Sequence, residues 1–342
     1  MNIGVLKSTA NQMVAKGKGI LAADESSKTI QKRFDKIGLK SDPDTNLAYR
    51  KMLFTTPGIE NYISGIILFD ETFRQSIEGV LIPEYLSRKG ILPGIKVDKG
   101  VVDLPRTNLV RGLPGSQGEK ITEGLDGLKE RLKEYAKLGA KFAKWRAVIT
   151  IGKNLPTDNC IEANSEVLAK YALLCQEQDI VPIVEPEVLM DGDNTLEICR
   201  NATNRTLHSL FAKLAENSVI LEGLILKTNM VISGKKCPVQ ASSQEVARET
   251  IATFLNVIPK EVPGIVFLSG GQTPNQATEN LAEINRIARS PWQLSYSYGR
   301  ALQDEALRAW GGKNENVEKA QKAFIERARK VSEARSQLPS QN

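Results

Sequence analysis

Lysines, arginines and carboxylates recur in this sequence at one kind of place, the end of an apolar run. Leu221-Glu222-Gly223-Leu224-Ile225-Leu226 closes on Lys227, and Gly19-Ile20-Leu21-Ala22-Ala23 runs into Asp24-Glu25-Ser26. Ile95 is followed by Lys96-Val97-Asp98, Phe142-Ala143 by Lys144-Trp145-Arg146, and Ile183-Val184 by Glu185-Pro186-Glu187. Side chains alternate along a strand, so Lys96 with Asp98, Lys144 with Arg146, and Glu185 with Glu187 each point to one side. Any one pair reads equally well as an ion-pair layer at the solvent edge of a sheet. Five such ends converging make a site, because cations and carboxylates together are costly to desolvate unless a ligand brings negative charge or one lysine is neutral. An unperturbed lysine, with a pKa of about 10.4, is neutral in only about one molecule in a few thousand at pH 7, and apolar walls with a neighbouring cation increase that fraction. Lys144 near Lys227 is expected to be that cation. Two further ends, Leu268-Ser269-Gly270-Gly271-Gln272-Thr273-Pro274 and Ser297-Tyr298-Gly299-Arg300, combine glycines that let backbone approach an anion with an arginine and a helix start at Pro274. They read as a phosphate site.

The elements that must position these groups repeat. Strand-like runs fall at 19–23, 64–69, 91–97, 142–149, 180–184, 223–226, 264–268 and 292–297. Segments of helical period separate most of them, with start signals at Asn164-Ser165-Glu166 and Ser242-Ser243-Gln244-Glu245. Eight strands alternating with helices predict an α/β fold, a (β/α)8 TIM barrel, with a doubly wound open sheet as the other arrangement this periodicity allows. In a barrel the carboxyl ends of the strands and the loops after them form the active face, and phosphates bind after the seventh and eighth strands. The spacing Val317, Ala320, Phe324, Ala328, Val331 adds a C-terminal amphipathic helix whose other face reads as solvated. Residues 106–118 read as an irregular loop and 156–160 as a second excursion. One barrel domain over 1–335 and a short polar tail over 336–342 complete the organisation.

Composition narrows the chemistry. The 342 residues are 41% hydrophobic, enough for a large core, and no run reaches the length of a bilayer span. Four cysteines without a CxxC fit reduced thiols and a cytoplasmic location. The single histidine, His208, leaves no imidazole set for a catalytic zinc, so no metal is expected, and it argues against Ser-His or Cys-His nucleophile systems. A net charge of +6 suits anionic small substrates, while no basic block interleaved with aromatics marks a dedicated nucleic-acid site, and nothing marks a membrane partner.

Six segments in order, Gly19–Ser26, Gly94–Gly100, Phe142–Arg146, Val181–Glu187, Leu268–Gln272 and Ser297–Leu302, closely resemble signatures of the class I, Schiff-base fructose-bisphosphate aldolases of glycolysis and gluconeogenesis. The resemblance implies that Lys227 forms the Schiff base, Glu185 is the acid/base of carbinolamine dehydration, and Asp24 acts at the C4 hydroxyl, supported by Lys144 and Glu187. It further implies that Ser269, Gly270, Gly271 and Arg300 hold the C1 phosphate, that Ser26, Thr29, Arg33 and Lys96 meet the other end, and that Arg146 lines the site. Thr29 stands where a serine is expected and Thr228 where a proline is expected. Familiar members end in a tyrosine that aids proton exchange at the enamine, whereas the last tyrosine here is Tyr298, which leaves Glu185, Glu187 or water to move that proton. A homo-oligomer, often a tetramer, acting on phosphorylated sugars without a cofactor is implied. Sedoheptulose 1,7-bisphosphate as substrate, and a noncatalytic scaffold on the same frame, are the alternatives. Intact Asp24, Lys144, Glu185 and Lys227 weigh against the scaffold.

Overall fold

The computed structural model describes residues 1–105 and 118–336, so that most of the irregular loop expected over 106–118 and all but the first residue of the tail lie outside the described residues. Eight parallel strands close into a barrel: β1 (Gly19–Ala23), β2 (Ile63–Leu68), β3 (Leu92–Lys96), β4 (Phe142–Ile149), β5 (Val181–Val188), β6 (Ile225–Thr228), β7 (Gly264–Phe267) and β8 (Gln293–Tyr298). Each pairs with the next in sequence and β8 returns to β1, with Ile20 opposite Ser297, which excludes the open sheet. All five residues of β1 and all eight of β5 are buried. This is the pattern of strands covered on both faces.

Twelve helices lie among the described residues: α1 (Ile3–Met13), α2 (Ser27–Phe34), α3 (Pro43–Phe54), α4 (Asp70–Phe73), α5 (Ile82–Arg88), α6 (Leu128–Lys137), α7 (Asp158–Gln176), α8 (Leu196–Glu216), α9 (Ser243–Val257), α10 (Pro274–Ile287), α11 (Arg300–Trp310) and α12 (Val317–Arg335). The Ser242 capping box and the Thr273 cap ahead of Pro274 start α9 and α10 as their sequences predict. The start of α7 differs. Thr157 caps it seven residues before Asn164, whose amide instead donates from inside the helix to the carbonyls of Lys120 and Cys160. The excursion expected over 156–160 is therefore this helix start.

The two ends of the barrel are built from opposite materials. At the amino end, α1 lays Leu6, Ala10 and Met13 against a cluster that includes Ile20, Phe142, Ile183, Ile225 and Val266 inside the barrel. Phe142 fills this floor so fully that a Cβ on Gly94 would stand 2.2 Å from its ring. The helices pack around the outside through a larger apolar cluster. At the carboxyl end the inward positions carry charge instead, and there the two ends of the barrel part in function.

Candidate active site

Strand register brings the charged positions level. Lys96 on β3 stands opposite Lys144 on β4, Arg146 opposite Glu185 on β5, and Leu226 on β6 opposite Val184, so that Lys227 rises beside Glu185. Lys227 lies within the ladder, opposite Val266 of β7; the segment before it, Leu221–Gly223, is a 3-10 turn. The strand begins and ends later than the apolar run suggests.

Lys227 Nζ is 3.1 Å from Glu185 Oε1, and Lys144 Nζ is 3.5 Å from Glu185 Oε2. Lys144 Nζ also stands 2.7 Å from Asp24 Oδ2 and 4.0 Å from Asp98 Oδ2, while Lys96 Nζ is 2.7 Å from Asp98 Oδ1. Arg146 pairs with Glu187. The cation expected near Lys227 is there in Lys144, with the Glu185 carboxylate between the two lysines. Glu185 Oε2 accepts no hydrogen bond among the described residues, although its side chain is only 4% exposed. Such an oxygen is dear to bury and open to a donor from a ligand.

Burial alone would raise the Asp24 carboxyl, but the ammonium groups of Lys144, Lys227 and Lys96 outweigh it and hold Asp24 well below the usual carboxylate range. Burial would likewise make Lys144 less basic, and Asp24, Glu185 and Asp98 reverse this, holding it above the ordinary lysine value. Lys144 is therefore a fixed cation at working pH, with no part as a neutral amine.

Two joined clefts open from this cluster. One, of about 1060 Å³, is lined by Asp24, Ser26, Thr29, Lys96 and Lys144 among others. The other, of about 290 Å³, is lined by Ser269, Gly270, Gly271 and Arg300 among others. Arg33, Arg146, Glu185, Lys227 and Gly299 line both, so Lys227 stands at the junction. Glu187 lines the smaller cleft. Gly271 adopts φ +77°, and a Cβ on Gly270 would stand 2.9 Å from Glu187 Oε1 and from Met190 Cε. These two positions need glycine for different reasons, one conformational and one spatial. Arg300 Nη2 donates to the Gln272 carbonyl at 3.1 Å, which ties it to the turn that follows.

All fourteen side chains and glycines singled out in the sequence line one or both clefts. Sequence reasoning quoted Asp98 and Glu25 without assigning either to the site, and it did not single out Arg50 or Gln303. Asp98 bridges Lys96 and Lys144; Glu25 pairs with Arg33 and Arg50 and accepts from Gln303. The alternation Lys96/Asp98 was a signal for the first. The second group is brought together from the turn after β1 and from α2, α3 and α11, and no local spacing announces it.

The family model described as fructose-bisphosphate aldolase class-I matches residues 5–339. A probable fructose-bisphosphate aldolase class 1 of Xanthomonas axonopodis pv. citri (strain 306) is 53% identical over 331 residues, 96% of each chain. The cytosolic fructose-bisphosphate aldolase 4 of Arabidopsis thaliana is 49% identical over 320 residues, 93% of this chain and 79% of that one. A solved structure of fructose-bisphosphate aldolase from Plasmodium falciparum, in complex with TRAP and a small-molecule inhibitor, has a TM-score of 0.93 at 45% identity and covers 100% of this chain and 98% of that one. A barrel carrying a lysine beside a buried carboxylate at the junction of two clefts, matched end to end by these relatives, belongs to the class I fructose-bisphosphate aldolase family.

Proposed function

We propose that Lys227 forms the Schiff base through which this aldolase reversibly cleaves fructose 1,6-bisphosphate to dihydroxyacetone phosphate and glyceraldehyde 3-phosphate. The observation that carries this reading is the place of Lys227 where the two clefts meet, 3.1 Å from Glu185. A ketose with a phosphate at each end, one held by Ser269, Gly270, Gly271 and Arg300 and the other by Ser26, Thr29, Arg33 and Lys96, has its C2 carbonyl at that junction.

In this scheme Glu185 takes a proton from the Lys227 ammonium, and the neutral amine attacks C2 to give a carbinolamine. The protonated Glu185 then donates to the leaving hydroxyl, and loss of water leaves an iminium. Electrons of the C3–C4 bond flow to that nitrogen, which removes the need for a metal as electron sink, while Asp24 accepts the proton of the C4 hydroxyl. The ammonium groups around it hold Asp24 ionised throughout the working range, so it is in the form that can accept that proton. Glyceraldehyde 3-phosphate leaves, Glu187, Glu185 or water returns a proton to C3 of the enamine, and hydrolysis frees the second product. Lys144 neutralises Asp24 and Glu185 throughout, and Arg146 orients Glu187.

Borohydride reduction in the presence of dihydroxyacetone phosphate, followed by peptide mass mapping, is expected to place the reduced adduct on Lys227. A label on another lysine overturns the assignment, and no label in an active enzyme overturns the Schiff base. A cytoplasmic homo-oligomer completes the proposal, the compartment supported by the relative named as cytosolic. Cell fractionation and sedimentation velocity test it.

A further inference from the structure

Beneath Arg33 lies a second charge cluster, apart from the one around Lys227. Glu25 lies just past the end of β1 and borders the larger cleft, but its side chain is only 5% exposed. One of its oxygens pairs with Arg33 of α2 and the other with Arg50 of α3, whose side chain is 1% exposed. Gln303 of α11 locks the group: its amide donates to the Ala22 carbonyl at 2.7 Å and to Glu25 Oε1 at 3.2 Å. Its carbonyl accepts from Tyr49 Oη at 2.9 Å and from Arg33 Nη1 at 3.3 Å. Arg33 Nη2 lies 3.3 Å from where a Cβ would stand on Gly299, so the missing side chain leaves room for the guanidinium. Arg33 and Glu25 border the clefts, whereas Arg50, Gln303 and Tyr49 line neither.

We infer that Glu25, clamped by Arg50 and Gln303, is a positioning residue that fixes the Arg33 guanidinium toward the phosphate remote from the ketose carbonyl and so contributes to preference for a bisphosphate over a monophosphate. The inference rests on the reading of Arg33 as a contact of that phosphate. A lone Glu25 beneath Arg33 would cancel its charge and weaken anion binding. Arg50 supplies the missing cation, so two guanidiniums share one carboxylate and these three side chains keep one net positive charge, while Asp304, which also acts on Arg33, has its own partner in Arg308. Arg33 is thereby held in place without being neutralised. Positioning and plain electrostatics now predict opposite outcomes for one substitution. Glu25→Gln makes the cluster more positive by one, which by charge alone strengthens phosphate binding, yet it releases the clamp on Arg33.

The test compares kcat/KM for fructose 1,6-bisphosphate with that for fructose 1-phosphate, which lacks the remote phosphate. In Glu25→Gln the ratio of the two is expected to fall about tenfold or more, the worth of a well-aimed charge-assisted contact, with partial recovery in Glu25→Asp. Because Glu25→Gln leaves Arg50 buried without its partner, the double variant Glu25→Met/Arg50→Met serves if the single one does not fold; it removes clamp and excess charge together and is expected to lower the ratio likewise. A ratio unchanged or raised in the folded variants, while Arg33→Ala lowers it, overturns the positioning role and leaves the Arg33 reading intact. A ratio unchanged in Arg33→Ala overturns the reading of Arg33 and the inference with it.

Discussion

Replacing Lys144 with methionine removes the cation shared by two buried carboxylates, Asp98 and Glu185, and by the partly exposed Asp24. At 2.7 Å from Asp24, and with an effective dielectric of about 20, the pair is worth about 6 kcal/mol of direct attraction, or at most about 4 units of pKa. Relaxation and the remaining lysines reduce this to an upward move of about 1 to 3 units for Asp24. The sign follows from the cause: burial raises the carboxyl, Lys144 is the largest opposing influence, and without it burial is countered mainly by Lys227 and Lys96. In the native enzyme the ionised Asp24 contributes stability above its unfolded pKa of about 3.9, and that contribution is lost only as pH falls through the depressed folded value. In Lys144→Met the loss begins at higher pH. The raised Lys144, by contrast, contributes stability in full below about pH 10.4, and that share is lost as pH rises through its folded value, so the variant's deficit narrows only at strongly alkaline pH. At pH 7.5 kcat/KM is expected to fall about 10²- to 10⁴-fold, and the acid limb of its pH profile to move upward, in protein shown to be folded by circular dichroism. Lys144→Arg keeps the charge and should keep the position of the acid limb. An unchanged acid limb with activity within threefold of the parent in Lys144→Met would refute the counter-ion role.

Other substitutions probe separate parts. Arg300→Ala should lower kcat/KM for the bisphosphate about 10- to 150-fold through both KM and kcat, since phosphate binding orients the reacting carbon; unchanged kinetics would mean that Arg300 does not meet the phosphate. Gly270→Ala sets a methyl 2.9 Å from Glu187 Oε1 and Met190 Cε, and should cut kcat/KM about tenfold or more while lowering Tm by a few degrees. Activity equal to the parent would show that the turn yields. Arg335 of α12, 6% exposed, donates to the Val14 carbonyl at 2.6 Å and the Leu294 carbonyl at 3.3 Å. Arg335→Ala should cost about 3 kcal/mol in urea denaturation by orphaning these groups, with kcat retained.

The barrel was legible because buried parallel strands write themselves as apolar runs, and the runs placed all eight within a few residues. The errors have physical causes. The run expected over 223–226 starts two residues early, because Gly223 closes a 3-10 turn and Leu224 only leads into the strand, which begins at Ile225. The β5 run was taken to stop at Val184, because Glu185-Pro186-Glu187 breaks the apolar pattern, whereas the strand continues to Val188 to deliver those carboxylates. Asn164 imitates a helix cap, and only its long-range bond to Lys120 reveals its role. The plug formed by α1 went unread: Leu6, Ala10 and Met13 have helical spacing, but nothing in it says which surface they cover. The outer face of α12 read as solvated and is so, with Lys322, Glu326, Lys330 and Glu333 exposed; what the apolar spacing did not announce is that Arg335, one turn past Val331 on the inward face, is buried against backbone carbonyls. Side chains at strand ends were found because strand direction fixes their destination. Arg50 and Gln303 lie on helices, where destination depends on packing.

Charge is distributed between centre and ends in a way that serves the reaction. Around the junction, Lys96, Lys144 and Lys227 face Asp24, Asp98 and Glu185, a balanced set when all six are ionised. A balanced set is the least costly to bury before substrate arrives. Uncompensated cations stand outward of it: Arg300 has no carboxylate partner among the described residues, and Arg33 with Arg50 exceeds Glu25 by one. The phosphates therefore find their countercharge at the cleft ends and leave the proton balance at the centre undisturbed. Formation of the iminium then fixes a positive charge on the Lys227 nitrogen in place of the ammonium. The central balance is the same before and after the bond to substrate forms, so the pocket need not reorganise as the C3–C4 electrons move.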